Sequence, residues 1–462
     1  MRPTRWRRST HVVVGVAVLV LVAVVVAAAA VLTTGHSTDA APIKPAPPAA
    51  TAKPGIVPVA ASAPKPTPDR LAATLAPMLA DPNLGNLTGR ITDAMTGAQL
   101  WAQGPDVPMQ PASTNKVLTA AAALLALDRD ATLTTRVFAA DQTRSPGVVV
   151  LEGGGDPTLS AAPNGQATWY RDAARISDLA DQVLRSGIEV TKVQVDISAY
   201  SGPTMAPGWD PADIDGGDIA PMEAVMLDGG RTQPVSVESR RSTTPALDAG
   251  RALAVALEVD PATVTVLPSG LRGGTEIAAV QSPPLMARLR EMMNASDNVM
   301  AEAIGREVAD ALDRPQSFDG AARAVLNELD SAKIDTSGAR LLDSSGLSVD
   351  DRLTAETLDE VVNAAAGSAQ PDLRPLVDLL PIAGGSGTLS NRYLDTDAGR
   401  AAAGFLRAKT GSLTGTNALA GIITDASDRV LTFSLISNNA GPTGRIALDN
   451  LAAVLRSCGC AT

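Results

Sequence analysis

Three short segments carry residue types that could perform nucleophilic chemistry: Ser113-Thr114-Asn115-Lys116, Ser296-Asp297-Asn298 and Lys409-Thr410-Gly411. Residues three apart on a helix share a face, so Lys116 can reach Ser113. A serine hydroxyl is a weak nucleophile until a base takes its proton. A buried lysine loses basicity through desolvation and a neighbouring cation, and then serves as a neutral base. Ser113 opens a helix, where free backbone N–H groups can stabilise a developing oxyanion. The Ser296 hydroxyl could pass a proton toward a leaving group, and the Asn298 amide could hold a substrate amide. Lys409 and Thr410 suit a carboxylate, and Gly411 permits close approach of a substrate backbone. Each segment also has a plain structural alternative: a capping serine before a surface lysine, a helix junction, and a strand edge with a solvated lysine. Lysine scarcity favours the chemical reading, because beyond residue 68 the chain has only Lys116, Lys192, Lys333 and Lys409.

Composition narrows the classes. The chain has 462 residues and a formal net charge of -11, which argues against nucleic acid as a partner. Aromatic residues are 2% of the total, too few for base- or sugar-stacking platforms. The only histidines, His11 and His36, lie near the N-terminus, so a Ser-His-Asp set, a Cys-His set or a histidine zinc site is excluded beyond them. Two late cysteines, Cys458 and Cys460, are too few for a Cys-rich metal site. No GxxxxGK[ST] loop or GxGxxG fingerprint occurs, so no cofactor and no metal is expected.

The elements that must position the three segments follow from pattern. Asp69 reads as the N-cap of a helix over 70–80, and 89–103 as a β-hairpin around Thr96-Gly97. The segment 117–127 is apolar on every face and should be a buried helix. Strands are expected at 133–138 and 148–151, a helix at 172–185, a strand at 192–197 and a long loop at 201–217. The chain turns helical from 286 to 329. A second hairpin, 418–424 with 429–437, precedes a final helix at 445–456. The two hairpins are expected to form one antiparallel sheet flanked by the first and last helices, an α+β arrangement completed by a helical subdomain.

Four arginines, Arg2, Arg5, Arg7 and Arg8, precede an uncharged apolar run from Val12 to Leu32. That length can span a bilayer, and the basic flank should stay cytoplasmic. An uncleaved anchor is favoured over a cleaved signal peptide, whose apolar region is usually about 7–15 residues. A Pro/Ala-rich spacer follows. The expected organisation is a basic N-terminus over 1–11, the anchor or signal over 12–32, the linker over 33–68, a catalytic domain split into 69–155 and 286–462, and an inserted region over 156–285.

The trio S-x-x-K, S-D-N and K-T-G resembles the signature of penicillin-recognising serine enzymes. The wider match is similar to the low-molecular-mass class C penicillin-binding proteins, the D-alanyl-D-alanine carboxypeptidase/endopeptidases. Pro111–Lys116, Gly153–Leu159, Asp343–Ser348, Gly385–Leu389 and Ala408–Gly415 carry that likeness. The resemblance implies the penicillin-binding-protein/serine β-lactamase-like transpeptidase fold with a large insertion. It implies that Ser113 attacks the penultimate D-alanine carbonyl of a peptidoglycan stem peptide, with Lys116 as base. Ser296 would relay a proton to the leaving amine, with Lys409 tuning it, and Asn298 would position the substrate amide. Thr410 and Ser412 would meet the terminal carboxylate beside Gly411, and the N–H groups of Ser113 and Ser412 would form the oxyanion hole. β-Lactams would acylate Ser113. No E-x-x-L-N element precedes the K-T-G strand, and Glu302 reads as half of a helix-surface pair, so slow release of a β-lactam is expected. The competing readings are a β-lactamase or esterase on the same scaffold, and a wall-binding or β-lactam-sensing module without turnover. The Cys458-Gly459-Cys460 pair is expected to be dispensable for catalysis.

Overall fold

The structure is a computed structural model. It describes residues 62–457 except 268 and 272, and Val24. The chain divides into two units, Met1–Val57 and Pro58–Thr462, and the second carries everything below. Apart from Val24, the expected anchor over 12–32 lies outside the described residues, as do most of the linker and the pair Cys458 and Cys460. Among the described residues no helix is long and apolar enough to cross a membrane.

Both ends of the body build one sheet. Strands β1 (Asn86–Asp93) and β2 (Gln99–Gln103) pair with β8 (Leu406–Leu413), β9 (Thr416–Thr424) and β10 (Val430–Asn438) in the order β2-β1-β10-β9-β8. All pairings are antiparallel, and β1 runs against β10 from Asn86↔Asn438 to Asp93↔Leu431. Alternation along β9 sorts its side chains between two cores. Leu419 and Ile423 join Leu71 and Leu75 of helix α1 (Pro68–Leu79) and Leu448 and Leu451 of α9 (Gly444–Ala453). Ala418 and Ala420 face the helical subdomain instead. This is the antiparallel sheet expected between first and last helices. The N-cap of α1 is Thr67 rather than Asp69, because Pro68 takes the first helical position and moves the acidic residue into the first turn. The buried Arg429 guanidinium closes the far end, with Nε 2.9 Å and Nη2 2.5 Å from the Asp93 carboxylate oxygens.

A second sheet has the order β6-β5-β4-β3-β7. It comprises β3 (Thr134–Ala139), β4 (Val148–Glu152), β5 (Lys192–Asp196), β6 (Thr265–Leu267) and β7 (Thr275–Gln281). Helices α3 (Ile176–Arg185) and α4 (Pro245–Ala256) pack on it over Val149, Leu151, Val193 and Val195. The expected boundary at 155/156 therefore falls inside this sheet. β3 and β4 share a sheet with strands of the region expected to be inserted: β3 pairs with β7 and β4 with β5. A strand's pattern states its period but not which sheet it joins.

The helical subdomain contains α2 (Lys116–Ala126), α5 (Leu285–Ala295), α6 (Asn298–Ala311), α7 (Phe318–Ser331) and α8 (Ala355–Ala366). Helix α2 is buried as expected, with Val117, Leu118 and Ala120–Ala123 all fully inaccessible. It begins at Lys116, so the first residue of a helix buried from Lys116 through Leu124 is the candidate base.

Candidate active site

Three backbone devices bring the three segments together. Ser113 sits in a 3-10 turn, Ala112–Asn115, that feeds directly into α2. Ser296 caps the C-terminus of α5 in the left-handed conformation, φ +59°. Asp297 then caps α6 by accepting the Met300 N–H at 3.0 Å. The helix junction compatible with Ser296-Asp297-Asn298 is thus present, and it turns Ser296 and Asn298 toward the same cleft. Ala112 is also left-handed, φ +48°. Such conformations cost a non-glycine residue about 1 kcal/mol or more and persist only where packing imposes them.

Two glycines allow the parts to close. A Cβ on Gly411 would lie 2.7 Å from the Pro111 carbonyl oxygen and 3.1 Å from the Thr114 nitrogen. The backbone that approaches Gly411 is the serine turn of this same chain, and that contact seats β8 against Ser113. Gly346, at φ +79°, would place a Cβ 2.0 Å from the Ala112 carbonyl oxygen. Gly346→Ala should displace the serine turn and lower β-lactam acylation by about 100-fold, the order expected for an ångström-scale misplacement of a reacting group. Acylation rates measured alongside circular dichroism would check this; an unchanged rate would show that the turn tolerates the shift.

Lys116 is fully inaccessible, and its Nζ lies 2.9 Å from Ser113 Oγ. The same Nζ donates to Asn298 Oδ1 at 2.6 Å and to the Ser345 carbonyl at 2.8 Å. Burial pushes the Lys116 ammonium down to about 8, against the pull of Asp343, Glu302, Asp297 and Asp351. Lys409 is equally buried, and its Nζ donates to Ser296 Oγ at 2.8 Å and to the Thr410 carbonyl at 2.8 Å. Burial, then repulsion from Lys116 and Arg392, holds Lys409 well below the ordinary lysine range. Two serine–lysine pairs therefore stand side by side, each lysine bonded to one serine hydroxyl. Asn298 spends its oxygen on Lys116 and donates from Nδ2 to the Asp218 carbonyl at 3.0 Å. An amide nitrogen carries two hydrogens, so one remains for a ligand in the cleft that Asn298 lines.

That cleft has a volume of about 780 Å³ and is lined by Ser113, Ser296, Asn298, Thr410 and Ser412. Ser412 is exposed on β8, and Thr410 Oγ1 shares a hydrogen bond of 2.9 Å with Thr388 Oγ1. Asp210, Asp213 and Asp218 line another part of the same cleft. The structure thus gathers Ser113, Ser296, Asn298, Thr410 and Ser412 around one space, with Lys116 and Lys409 buried behind the two serines and Gly411 against the serine turn.

Sequence reasoning missed what stands behind Lys116. The Asp343–Ser348 stretch carries the family likeness, but its pattern alone assigns it no role. Its Asp343 Oδ2 accepts from Trp209 Nε1 and from the Ser348 N–H, both at 2.7 Å, while Oδ1 takes the Gly346 N–H at 2.6 Å. Glu302 is not at a helix surface: it is fully buried, with Arg306 3.3 Å away. The i,i+4 pairing with Arg306 is real, but α6 is covered on almost every face. Tyr170 donates to Asp297 Oδ2 at 2.8 Å, tying the segment before α3 to the cap of α6.

Residues 71–241 and 234–455 match the D-Ala-D-Ala carboxypeptidase 3 (S13) family. Residues 1–58 match the family described as Carboxypeptidase Rv3627c-like, N-terminal domain. The chain is 76% identical over 460 residues to Carboxypeptidase DacB of Mycolicibacterium smegmatis, covering 100% of both chains. It is 64% identical to Carboxypeptidase Rv3627c of Mycobacterium tuberculosis, again over the whole of both. A D-alanyl-D-alanine carboxypeptidase of Actinomadura is 28% identical over 81% of this chain and 82% of its own. The fold is similar to that of penicillin binding protein 4 of Haemophilus influenzae, with a TM-score of 0.67 at 23% identity, covering 84% of this chain and 97% of that one.

Proposed function

The chain belongs to the D-Ala-D-Ala carboxypeptidase 3 (S13) family, and from that membership we infer how its own residues carry the reaction. It is a penicillin-binding serine D-Ala-D-Ala carboxypeptidase that acts on peptidoglycan outside the cytoplasm. We propose that Ser113 is the nucleophile. Its proton passes to the free amine of Lys116 as Oγ bonds to the penultimate D-alanine carbonyl carbon. The N–H groups of Ser113 and Ser412 receive the negative charge that forms on the carbonyl oxygen. The C–N bond then breaks, and the departing D-alanine amine takes up the proton that Lys116 received, relayed through Ser296 beside Lys409. Water hydrolyses the resulting ester and returns Ser113. The remaining Asn298 N–H holds the stem-peptide amide, and Thr410 and Ser412 receive the terminal carboxylate. β-Lactams acylate the same hydroxyl. The apolar run Val12–Leu32, with its arginine flank, anchors the protein with the N-terminus inside.

The observation that carries this reading is the 2.9 Å approach of a desolvated lysine amine to a serine hydroxyl in the wall of an open cleft. The test is intact-mass spectrometry of the full chain after incubation with a penicillin, beside an assay of D-alanine release from a D-Ala-D-Ala peptide. A lasting adduct together with released D-alanine is expected. An adduct without release would leave only β-lactam binding, and rapid drug hydrolysis would make the protein a β-lactamase.

A further inference from the structure

The reaction proposed above uses Lys116 but no group behind it, yet that ground is unusually charged. Glu302 lies on the first turns of α6, fully inaccessible, on the protein side of the catalytic residues. One carboxylate oxygen, Oε1, accepts two successive backbone donors, the Ser344 N–H at 3.0 Å and the Ser345 N–H at 2.9 Å. The other, Oε2, lies 3.3 Å from Arg306 Nη1. Glu302 thus holds the N–H of Ser345, the residue whose carbonyl accepts from Lys116 Nζ at 2.8 Å, while the N–H across that carbonyl's own peptide, Gly346, goes to Asp343 Oδ1 at 2.6 Å. Asp343 seals the same turn through the Ser345, Gly346 and Ser348 N–H groups. Neighbouring Thr119, one turn into α2, donates to the Ser344 carbonyl at 2.6 Å. The two N–H groups of the Ser344–Ser345 pair are therefore held by α6 and its two carbonyls by α2.

We propose that Glu302 is a positioning residue for the acylation base: through the Ser344–Ser345 backbone it fixes where Lys116 Nζ sits, and its charge governs when that amine is free to take the Ser113 proton. The geometry accounts for the first half. A lysine with three acceptors at 2.6–2.9 Å has one orientation only, and the Ser345 carbonyl is the one that neither substrate nor serine movement disturbs. The second half follows from the charges that face Lys116. Those are Glu302 and Asp297 from α6 and its cap, Asp343 and Asp351 from the turn, and the like-charged Lys409 from β8. Each carboxylate favours the ammonium and so delays the base. Arg306 offsets part of the Glu302 charge. Burial, then Asp343, pushes the Glu302 carboxyl up to about 7, toward the range in which Lys116 gives up its proton.

The inference rests on the nucleophile and base assigned above, and one pair of variants tests it apart from them. Glu302→Gln keeps an acceptor for both N–H groups and removes the charge. Glu302→Asp keeps the charge and withdraws it from the turn. Acylation by a fluorescent penicillin is followed against pH in the full chain. Glu302→Gln should move the acid limb to lower pH by about half a unit or more, because the ammonium loses a stabilising charge. Glu302→Asp should keep the limb and lower the plateau about tenfold or more. A Glu302→Gln limb that stays in place, with all rates scaled equally, would overturn the proposal and leave Glu302 a purely structural group. If Glu302→Gln does not fold, wild-type chain labelled at Lys Cε and Glu Cδ decides. A shared inflection of Lys116 and Glu302 supports the proposal, and independent titrations overturn it. Failure of the wild-type chain to acylate at any pH would refute the nucleophile assignment instead.

Discussion

Ser113→Ala should abolish covalent capture of penicillin and reduce D-alanine release by a factor on the order of 10⁶, as loss of a catalytic serine does elsewhere. The fold should survive, because the change removes one hydroxyl from a half-buried position. Its partner Lys116 keeps two of its three acceptors, Asn298 Oδ1 and the Ser345 carbonyl, so no buried amine is left stranded. Non-covalent binding should persist for the same reason: Asn298, Thr410 and Ser412 still line the cleft. Intact-mass spectrometry at long incubation, with thermal unfolding as a control on folding, checks both halves. An adduct appearing in Ser113→Ala at the wild-type rate would move the nucleophile elsewhere. Ser296 is the next candidate, since Lys409 reaches it as Lys116 reaches Ser113.

The residues proposed to react could be picked out in the sequence because their chemistry demands particular residue types at short spacing. Ser113 and Lys116 are one helical turn apart, and Ser296 and Asn298 flank a cap, so local geometry already aims each pair. The sheet was legible for a similar reason: two hairpins closed by short turns state their own pairing. What stayed hidden depends on distant partners. The strands at 134–139 and 148–152 have the right period, but only their partners β7 and β5 reveal which sheet they join. Glu302 and Arg306 spell a surface ion pair in any sequence window. They are buried because the neighbouring turn offers two N–H groups to Glu302 and because Tyr200 and Phe318 cover the Arg306 guanidinium. Lys409 likewise reads as a strand-edge lysine. Although β8 is an edge strand, the side chain is buried against Ser296, where it is better placed to serve that hydroxyl than to meet a carboxylate in solvent.

Lys116→Met should lower the rate of β-lactam acylation by about 10²–10⁴-fold, the usual range for a positioned base. Methionine preserves the apolar stem within buried α2 and removes only the amine, so much of the loss reflects proton transfer rather than packing. The pH profile makes the attribution sharper. A base must be unprotonated to act, and the Lys116 ammonium loses its proton near 8. Wild-type acylation should therefore climb with pH through about 8 and level off above it. Lys116→Met should lose that limb together with the rate. Lys116→Arg should not restore it, because a guanidinium does not give up its proton in this range. In contrast, Lys409→Met should slow acylation but keep the limb, since Lys409 contacts Ser296 and not Ser113. Stopped-flow acylation across pH for the four proteins separates these cases. A limb that survives in Lys116→Met and vanishes in Lys409→Met would exchange the roles of the two lysines. The Ser113–Lys116 contact would then place the nucleophile, while the proton left through Ser296.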